Sequence, residues 1–281
     1  MKRRNLLLAG LLSVLVSCGG TPADTRPQLV VGLECNYAPF NWTQNKKTST
    51  NYAINGTKTY AEGYDVQIAK KIADELDMKL VIKKVEWDAL IPNVQTGLID
   101  LIIAGMSPTP SRLIDIDFTS PYYTSEHVLL VKANNSYANV TSVNQLEGAR
   151  IAGQIGTLYD DIAHAIPGVV VGRDAPTVPE IITYLQQDLI DGTVLELPVA
   201  QGLVAEDSSL KIVRFEDGQG FTHLIDEDTN EARLIEDSDR DVAIGLAKGR
   251  DELKNSINTI LDGISVEERN QLMMNAVNQQ A

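Results

Sequence analysis

Two hydrophobic periods take turns along residues 29–104. Leu29–Glu34 (LVVGLE) is apolar almost without a break and ends on an acid, the pattern of a strand covered on both faces. Residues 41–62 are polar and carry Asn55-Gly56, a turn signal that predicts a hairpin or an excursion from the main body. After Gly63-Tyr64-Asp65 the period lengthens: Val66, Ile68, Ala69, Ile72, Ala73 and Leu76 make the stripe of a helix. Lys79–Val85 predicts a strand, residues 87–97 (WDALIPNVQTG) a short helix, and Ile99–Ala104 a buried strand. Strand–helix–strand–helix–strand implies an α/β layer with right-handed crossovers.

A second set begins after Ser120-Pro121-Tyr122-Tyr123, with residues 126–133 (EHVLLVKA). Arg150–Ala152, Val169–Val171 and Gly192–Leu195 predict strands, with helices over Leu158–Ile166 and Pro179–Gln187. Asp241–Ala247 predicts another strand, and Asp251–Leu261 and Val266–Asn278 predict helices. Residues 216–240 are acidic and poorly patterned and yield no assignment. The pattern is that of two α/β lobes, with the C-terminal part returning to the first.

The N-terminus changes the compartment. Lys2, Arg3 and Arg4 precede an apolar run that reaches Val16, the layout of a signal peptide and too short for the ~20 residues that span a bilayer. Leu15-Val16-Ser17-Cys18 resembles the lipobox of bacterial lipoproteins, which implies cleavage before Cys18 and lipid on its sulfur; an ordinary secretory cut is the alternative. Residues 18–28, with two prolines and no apolar run, read as a tether. With Cys18 lipidated, Cys35 has no partner for a disulfide and is expected to be a small buried hydrophobe. Loss of Lys2, Arg3 and Arg4 takes the formal charge from −14 to −17, which excludes a nucleic-acid binder and mildly favours cationic small molecules. No CxxC or His/Cys grouping offers a metal site, and His127, His164 and His223 are scattered.

Ligands of open α/β sheets sit beyond the carboxyl ends of the strands. Those ends are Glu34-Cys35-Asn36-Tyr37, Trp87-Asp88, Gly105-Met106-Ser107, Gln154-Ile155-Gly156-Thr157 and Glu196. They hold acids, aromatics, small hydroxyls and glycine-exposed backbone, with no phosphate loop and no identifiable Ser–His–Asp set. Arg112, in the proline-stiffened SPTPSR turn, could grip a carboxylate bidentately or pair on the surface with Asp115 or Asp117. Gly156-Thr157 at a helix start suits an anion, as every βα loop does to some degree. Glu196 could meet an ammonium or be solvated, and Tyr37 and Trp87 could flank a cation or be core.

These residues carry a resemblance. VGLECNYAPF, EGYDVQIAKKIADEL, VEWDALIPNVQTGLIDLIIAGMSPTPSRLIDIDFTSPYY together resemble the polar amino-acid substrate-binding proteins of bacterial ABC importers, receptors for lysine/arginine/ornithine, histidine and glutamine. The likeness runs from about residue 28 to the C-terminus. It implies a two-lobed periplasmic-binding-protein-like fold of type II, each lobe an α/β sheet, joined by a two-strand hinge. Lobe 1 would take 29–123 and 244–281 and lobe 2 would take 128–236, with crossings near 124–127 and 237–243. By position, Arg112 with Ser107 would clamp the ligand α-carboxylate, helped by Gly156, Thr157 and Leu158. The Gly105 carbonyl and Glu196 would hold the α-ammonium. Tyr37 and Trp87 would sandwich the side chain and Glu34 would meet its far end, with Met106, Gln154 and Tyr159 lining the same space. Ala104 stands where some basic-amino-acid receptors have a contacting serine, and the segments 41–62 and 216–240 are longer than the family pattern.

The resemblance thus implies a monomeric, lipid-anchored receptor at the extracellular face of the bacterial membrane. It would capture a free L-amino acid, basic and arginine first, by lobe closure and deliver it to an ABC permease, with no cofactor. Glutamine is the alternative within that class. A dehydratase on the same scaffold, using Glu34 or Glu196 as acid or base, is the alternative of another class, and an extracellular sensor domain a third.

Overall fold

The apolar runs become the middle strands of two separate sheets in the computed structural model, which describes residues 24–280. The signal-like segment and Cys18 lie outside the described residues. In the first sheet the order is Lys79–Lys84, Gln28–Leu33, Leu101–Ile102, Asp241–Leu246, Asp117–Thr124. The first three run parallel, with Gln28 opposite Lys79 and Val31 opposite Leu101. Asp241–Leu246 runs antiparallel to both of its neighbours. The helix Tyr64–Glu75 makes one parallel crossover and buries Val66, Ile68, Ala69, Ile72 and Ala73 against the sheet, the stripe read from the sequence. Of the run Ile99–Ala104 only Leu101–Ile102 pairs as a strand, although all six side chains but Asp100 are buried.

The second sheet has the order Val170–Val171, Arg150–Ala152, Gly192–Glu196, His127–Lys132, Leu210–Val213. Its first three strands are parallel, and His127–Lys132 is antiparallel to both strands beside it. Helices Leu158–Ala165, Val178–Gln186 and Leu197–Glu206 connect them. The chain therefore forms two α/β lobes. It crosses between the sheets at Ser125–Glu126 and again beside Arg240, where the Ser125 amide donates to the Arg240 carbonyl at 2.9 Å. The strand of the first sheet starts at Asp241, inside the segment expected to be the second crossing.

Residues 36–62 build a four-stranded antiparallel sheet of their own, in the order Asn36–Tyr37, Asn41–Gln44, Tyr60–Glu62, Tyr52–Ala53. The segment 216–240, unassigned from sequence, is a hairpin of His223–Ile225 with Ala232–Leu234 followed by a turn of 3₁₀ helix at Asp237–Arg240. Sequence patterning also gives no hint of the helix Pro110–Asp115 or the strand Asp117–Thr124. The first is too short for a period, and the second shows no strict alternation.

Candidate functional site

Four strand ends meet between the lobes. Glu34 follows the strand Gln28–Leu33, and Cys35 then takes a left-handed backbone (φ 59°) that turns the chain into Asn36–Tyr37. The Tyr37 ring stacks on Phe40 with centroids 5.5 Å apart. Gly105, just beyond Leu101–Ile102, has φ 66°, and a Cβ there would lie 2.9 Å from Tyr37 Cε1. Glycine is what lets this turn sit against the aromatic ring. Thr109 and Pro110 start the helix that carries Arg112, and the Thr109 hydroxyl accepts from the Arg112 amide at 3.4 Å. The Arg112 side chain is only 6% exposed. It folds back so that Nη1 donates to the Ser107 carbonyl at 2.9 Å. No ion pair to Asp115 or Asp117 forms, and Asp117 faces Lys254 instead at 3.5 Å.

The second lobe supplies the opposite wall. The Thr157 hydroxyl donates to the Gln154 carbonyl at 2.8 Å and fixes the turn that begins the helix Leu158–Ala165. Glu196 ends the strand Gly192–Glu196 and is 1% exposed. The walls touch through side chains. Trp87 Nε1 donates to the Gly156 carbonyl at 2.8 Å, Arg112 Nη2 to the same carbonyl at 3.1 Å, and Gln154 Nε2 to Glu34 Oε1 at 3.2 Å. The Tyr37 hydroxyl donates to Glu196 Oε2, whereas Glu196 Oε1 is buried without a hydrogen-bond partner. The Arg112 guanidinium lies over the Trp87 ring, 5.2 Å from its centroid.

Ten of the thirteen expected site residues line one narrow cavity between the lobes. The other three are adjacent. Glu196 sits behind Tyr37, and Met106 and Gly156 face an outer compartment that shares Trp87 and Arg112. Met106 lends its carbonyl to the sheet, accepting from Ala243 at 3.0 Å. Cys35 is buried as expected, with burial pushing its thiol up to about 12. Phe40 is fully buried and Trp42 packs against the core.

Burial sets the electrostatics. It raises Glu196 to about 8, against the lowering effect of the Tyr37 and Tyr159 hydroxyls. It raises Glu34 to about 7, although Gln154 favours the ionised form. Burial also lowers the Arg112 pKa, against the acids Glu227 and Asp161. Burial thus favours the protonated form of Glu34, at the cavity wall, and of Glu196, behind Tyr37, beside a desolvated guanidinium.

Sequence reasoning missed two contributions. Glu227 and Asp228, from the unassigned segment, reach the outer compartment, and Glu227 accepts from the Ser111 hydroxyl at 2.5 Å. No pattern in 216–240 signals this. Asp65, in the quoted GYD, is fully buried behind the site and bonds to Tyr122 and Asn41. Its signal was an acid inside an apolar helical stripe. His164, read as scattered, lies with Asp160 and Asp174, the donor atoms within 4.8 Å of one another. Its Nδ1 is also 2.8 Å from the Asp160 carbonyl. None of the three lines the cavity, and among the described residues no helix is long and apolar enough to cross a membrane.

Comparison with known proteins agrees with the two-lobed fold. Residues 29–275 match the profile of the bacterial extracellular solute-binding proteins, family 3. A probable histidine-binding protein of Campylobacter jejuni is 31% identical over 252 residues, 85% of this chain and 88% of the relative. An amino-acid ABC transporter substrate-binding protein of Streptococcus pneumoniae, solved with L-arginine, superposes with a TM-score of 0.69 at 26% identity, covering 90% of this chain and 95% of that one. An ancestral amino-acid-binding protein described as a precursor of cyclohexadienyl dehydratase superposes with a TM-score of 0.68 at 25% identity, covering 89% and 95%. The chain belongs to family 3 of the bacterial extracellular solute-binding proteins.

Proposed function

We propose that this protein captures a cationic L-amino acid, L-arginine first, between its lobes and delivers it to the permease of an ABC importer. The observation that carries the reading is the cavity itself, with the buried Arg112 guanidinium and Glu34 carboxylate at its walls and the buried Glu196 carboxylate bonded to Tyr37 just behind them. Arg112 would take the α-carboxylate, joined by the amides at the start of the helix Leu158–Ala165. Glu196 Oε1, buried and unpaired, and the Gly105 carbonyl would take the α-ammonium. A planar side-chain cation would lie between Tyr37 and Trp87 and reach Glu34. The S. pneumoniae and C. jejuni relatives support a basic ligand.

Closure follows from the division of labour. Arg112, Tyr37 and Trp87 stand on one lobe, and Thr157 and Glu196 on the other, so a ligand that touches both favours the arrangement in which they meet. Lipid on Cys18 would hold the receptor, a monomer, at the outer face of the membrane. A second reading, glutamine, is favoured by one observation. Glu34, raised to about 7, can carry a proton near neutrality and pair with a neutral amide. A dehydratase is the weaker third reading. The likeness to a dehydratase precursor supports it, but Glu34 and Glu196 are already tied to Gln154 and Tyr37.

The test is a thermal-shift series over the twenty amino acids and ornithine, since a ligand of the native state raises Tm by mass action. Shifts led by arginine, lysine, ornithine or histidine support the reading. A series led by glutamine replaces it with the second, and no shift at all overturns both.

A further inference from the structure

One buried carboxylate is linked to both first-lobe turns of the site, through one intervening side chain each, and belongs to neither. Asp65 is fully buried in the helix Tyr64–Glu75. Its Oδ1 accepts from the Tyr122 hydroxyl at 2.6 Å, and the oxygen of that hydroxyl accepts from the Gly105 amide at 3.1 Å. Its Oδ2 accepts from Asn41 Nδ2 at 2.8 Å, and Asn41 Oδ1 accepts from the Cys35 amide at 2.7 Å. Gly105 and Cys35 are the residues with left-handed backbone in the two turns, at φ 66° and 59°. Backbone in that region needs support from its surroundings, above all at a residue with a side chain.

From this we infer that Asp65 is a positioning residue of the ligand site, which sets the Glu34–Tyr37 turn against the Gly105–Ser107 turn through Asn41 and Tyr122. The role rests on the proposed ligand assignment, in which the first turn meets the side chain and the second the α-ammonium and α-carboxylate. Three further contacts make the unit stiff. The Asp65 amide donates to the Phe40 carbonyl at 2.8 Å, the Tyr64 amide to the Pro39 carbonyl at 3.0 Å, and the Tyr64 hydroxyl to the Tyr122 carbonyl at 2.7 Å. Gly63 permits this approach, since a Cβ at its φ of 126° would lie 2.3 Å from the Phe40 oxygen. Asn41, Tyr64 and Tyr122 are fully buried, so water cannot replace a lost partner.

Donor and acceptor roles dictate the test. An acceptor is needed on both sides of residue 65, so Asp65→Asn either sets its NH2 against the NH2 of Asn41 or turns it to Tyr122, whose hydroxyl hydrogen then has no acceptor; if Asn41 flips, its NH2 faces the Cys35 amide. Asn41→Asp alone sets two carboxylates face to face. The double variant Asp65→Asn with Asn41→Asp satisfies every bond again with the roles exchanged. Tyr122→Phe instead leaves the Gly105 amide and Asp65 Oδ1 without their partner and keeps the Asn41 side intact. Each variant is measured in the full chain for its L-arginine and L-glutamine affinity by calorimetry and for amide hydrogen exchange at Cys35 and Gly105 by NMR.

Asp65→Asn is expected to weaken binding by about tenfold or more and to speed exchange at Cys35 or Gly105. Tyr122→Phe should speed exchange at Gly105, and the exchanged pair should return both affinity and protection to within about twofold of the parent. A purely core role would lower Tm and leave the affinity of the folded protein unchanged. The inference is overturned by that result, or by a double variant as weak as Asp65→Asn. If Asp65→Asn does not fold, Tyr122→Phe and the double variant decide alone. Should the parent bind neither amino acid, the ligand reading fails, and the site-specific exchange pattern still decides the role of Asp65.

Discussion

The Tyr37 hydroxyl, on the first lobe, donates to the carboxylate of Glu196, 159 residues later and on the second. This bond occupies one Glu196 oxygen and leaves the other, buried and unpaired, for an ammonium. Glu196→Gln keeps an acceptor for Tyr37 and removes the charge. It should weaken L-arginine and L-glutamine alike, by about 10- to 100-fold, because the α-ammonium is common to both. Calorimetry on the two ligands checks this, and a loss confined to one would move Glu196 out of the role.

Glu34 should discriminate where Glu196 does not. In Glu34→Gln the bond to Gln154 Nε2 can persist through the remaining carbonyl, but the charge facing a side-chain cation is gone. Affinity for L-arginine should fall about tenfold or more while that for L-glutamine changes by less than about threefold. Equal losses would place Glu34 in the frame of the cavity instead of its specificity.

Arg112→Ala removes a guanidinium that bonds the Ser107 and Gly156 carbonyls and lies over Trp87. Affinity for any α-amino acid should drop by about 100-fold or more, since a carboxylate would be left in a dry cavity with no cationic partner. Arg112→Lys should recover little, because an ammonium cannot reach both lobes with a planar fork. Unchanged calorimetric affinity in Arg112→Ala would refute the clamp.

Stability and affinity should move in opposite directions with pH. Burial raises Glu34 and Asp65 to about 7 and Glu196 to about 8, from ordinary values of 4.5, 3.8 and 4.5. Between those limits the native state holds more protons than the unfolded chain. The stability these groups contribute is therefore full below the ordinary carboxylate range and is lost as pH rises towards 8. Affinity for L-arginine should instead tighten from pH 6 to 8.5, as Glu34 and Glu196 ionise to meet the cation. Lys84 and Glu86 face Glu34 with opposite effects, and His127, lowered to about 4 by burial, stays neutral throughout. Melting curves and titrations over this range read both trends, and a flat affinity profile would contradict the assignment.

What the sequence made legible has a physical boundary. Continuous apolar runs such as Leu29–Leu33 and the stripe from Val66 to Ala73 declared the sheet and its covering helix, since burial on both faces or on one stripe leaves a period. The strand ends likewise pointed to Glu34, Tyr37, Gly105, Gln154 and Glu196, because chemistry at those ends has little reason to be apolar. Glu227 was invisible because a rim residue on an exposed hairpin obeys no period. The tie between Asp65, Asn41 and Tyr122 was invisible for a different reason. It joins three distant segments through side-chain bonds, and no local pattern records such a meeting.

The central claim, capture of a cationic amino acid, is tested most directly by calorimetric titration of the purified protein with L-arginine in two buffers of different ionisation heat. Saturable one-to-one binding is predicted, with protons released at pH 7 as Glu34 and Glu196 ionise. No binding, or binding of L-glutamine more tightly than L-arginine, would contradict it.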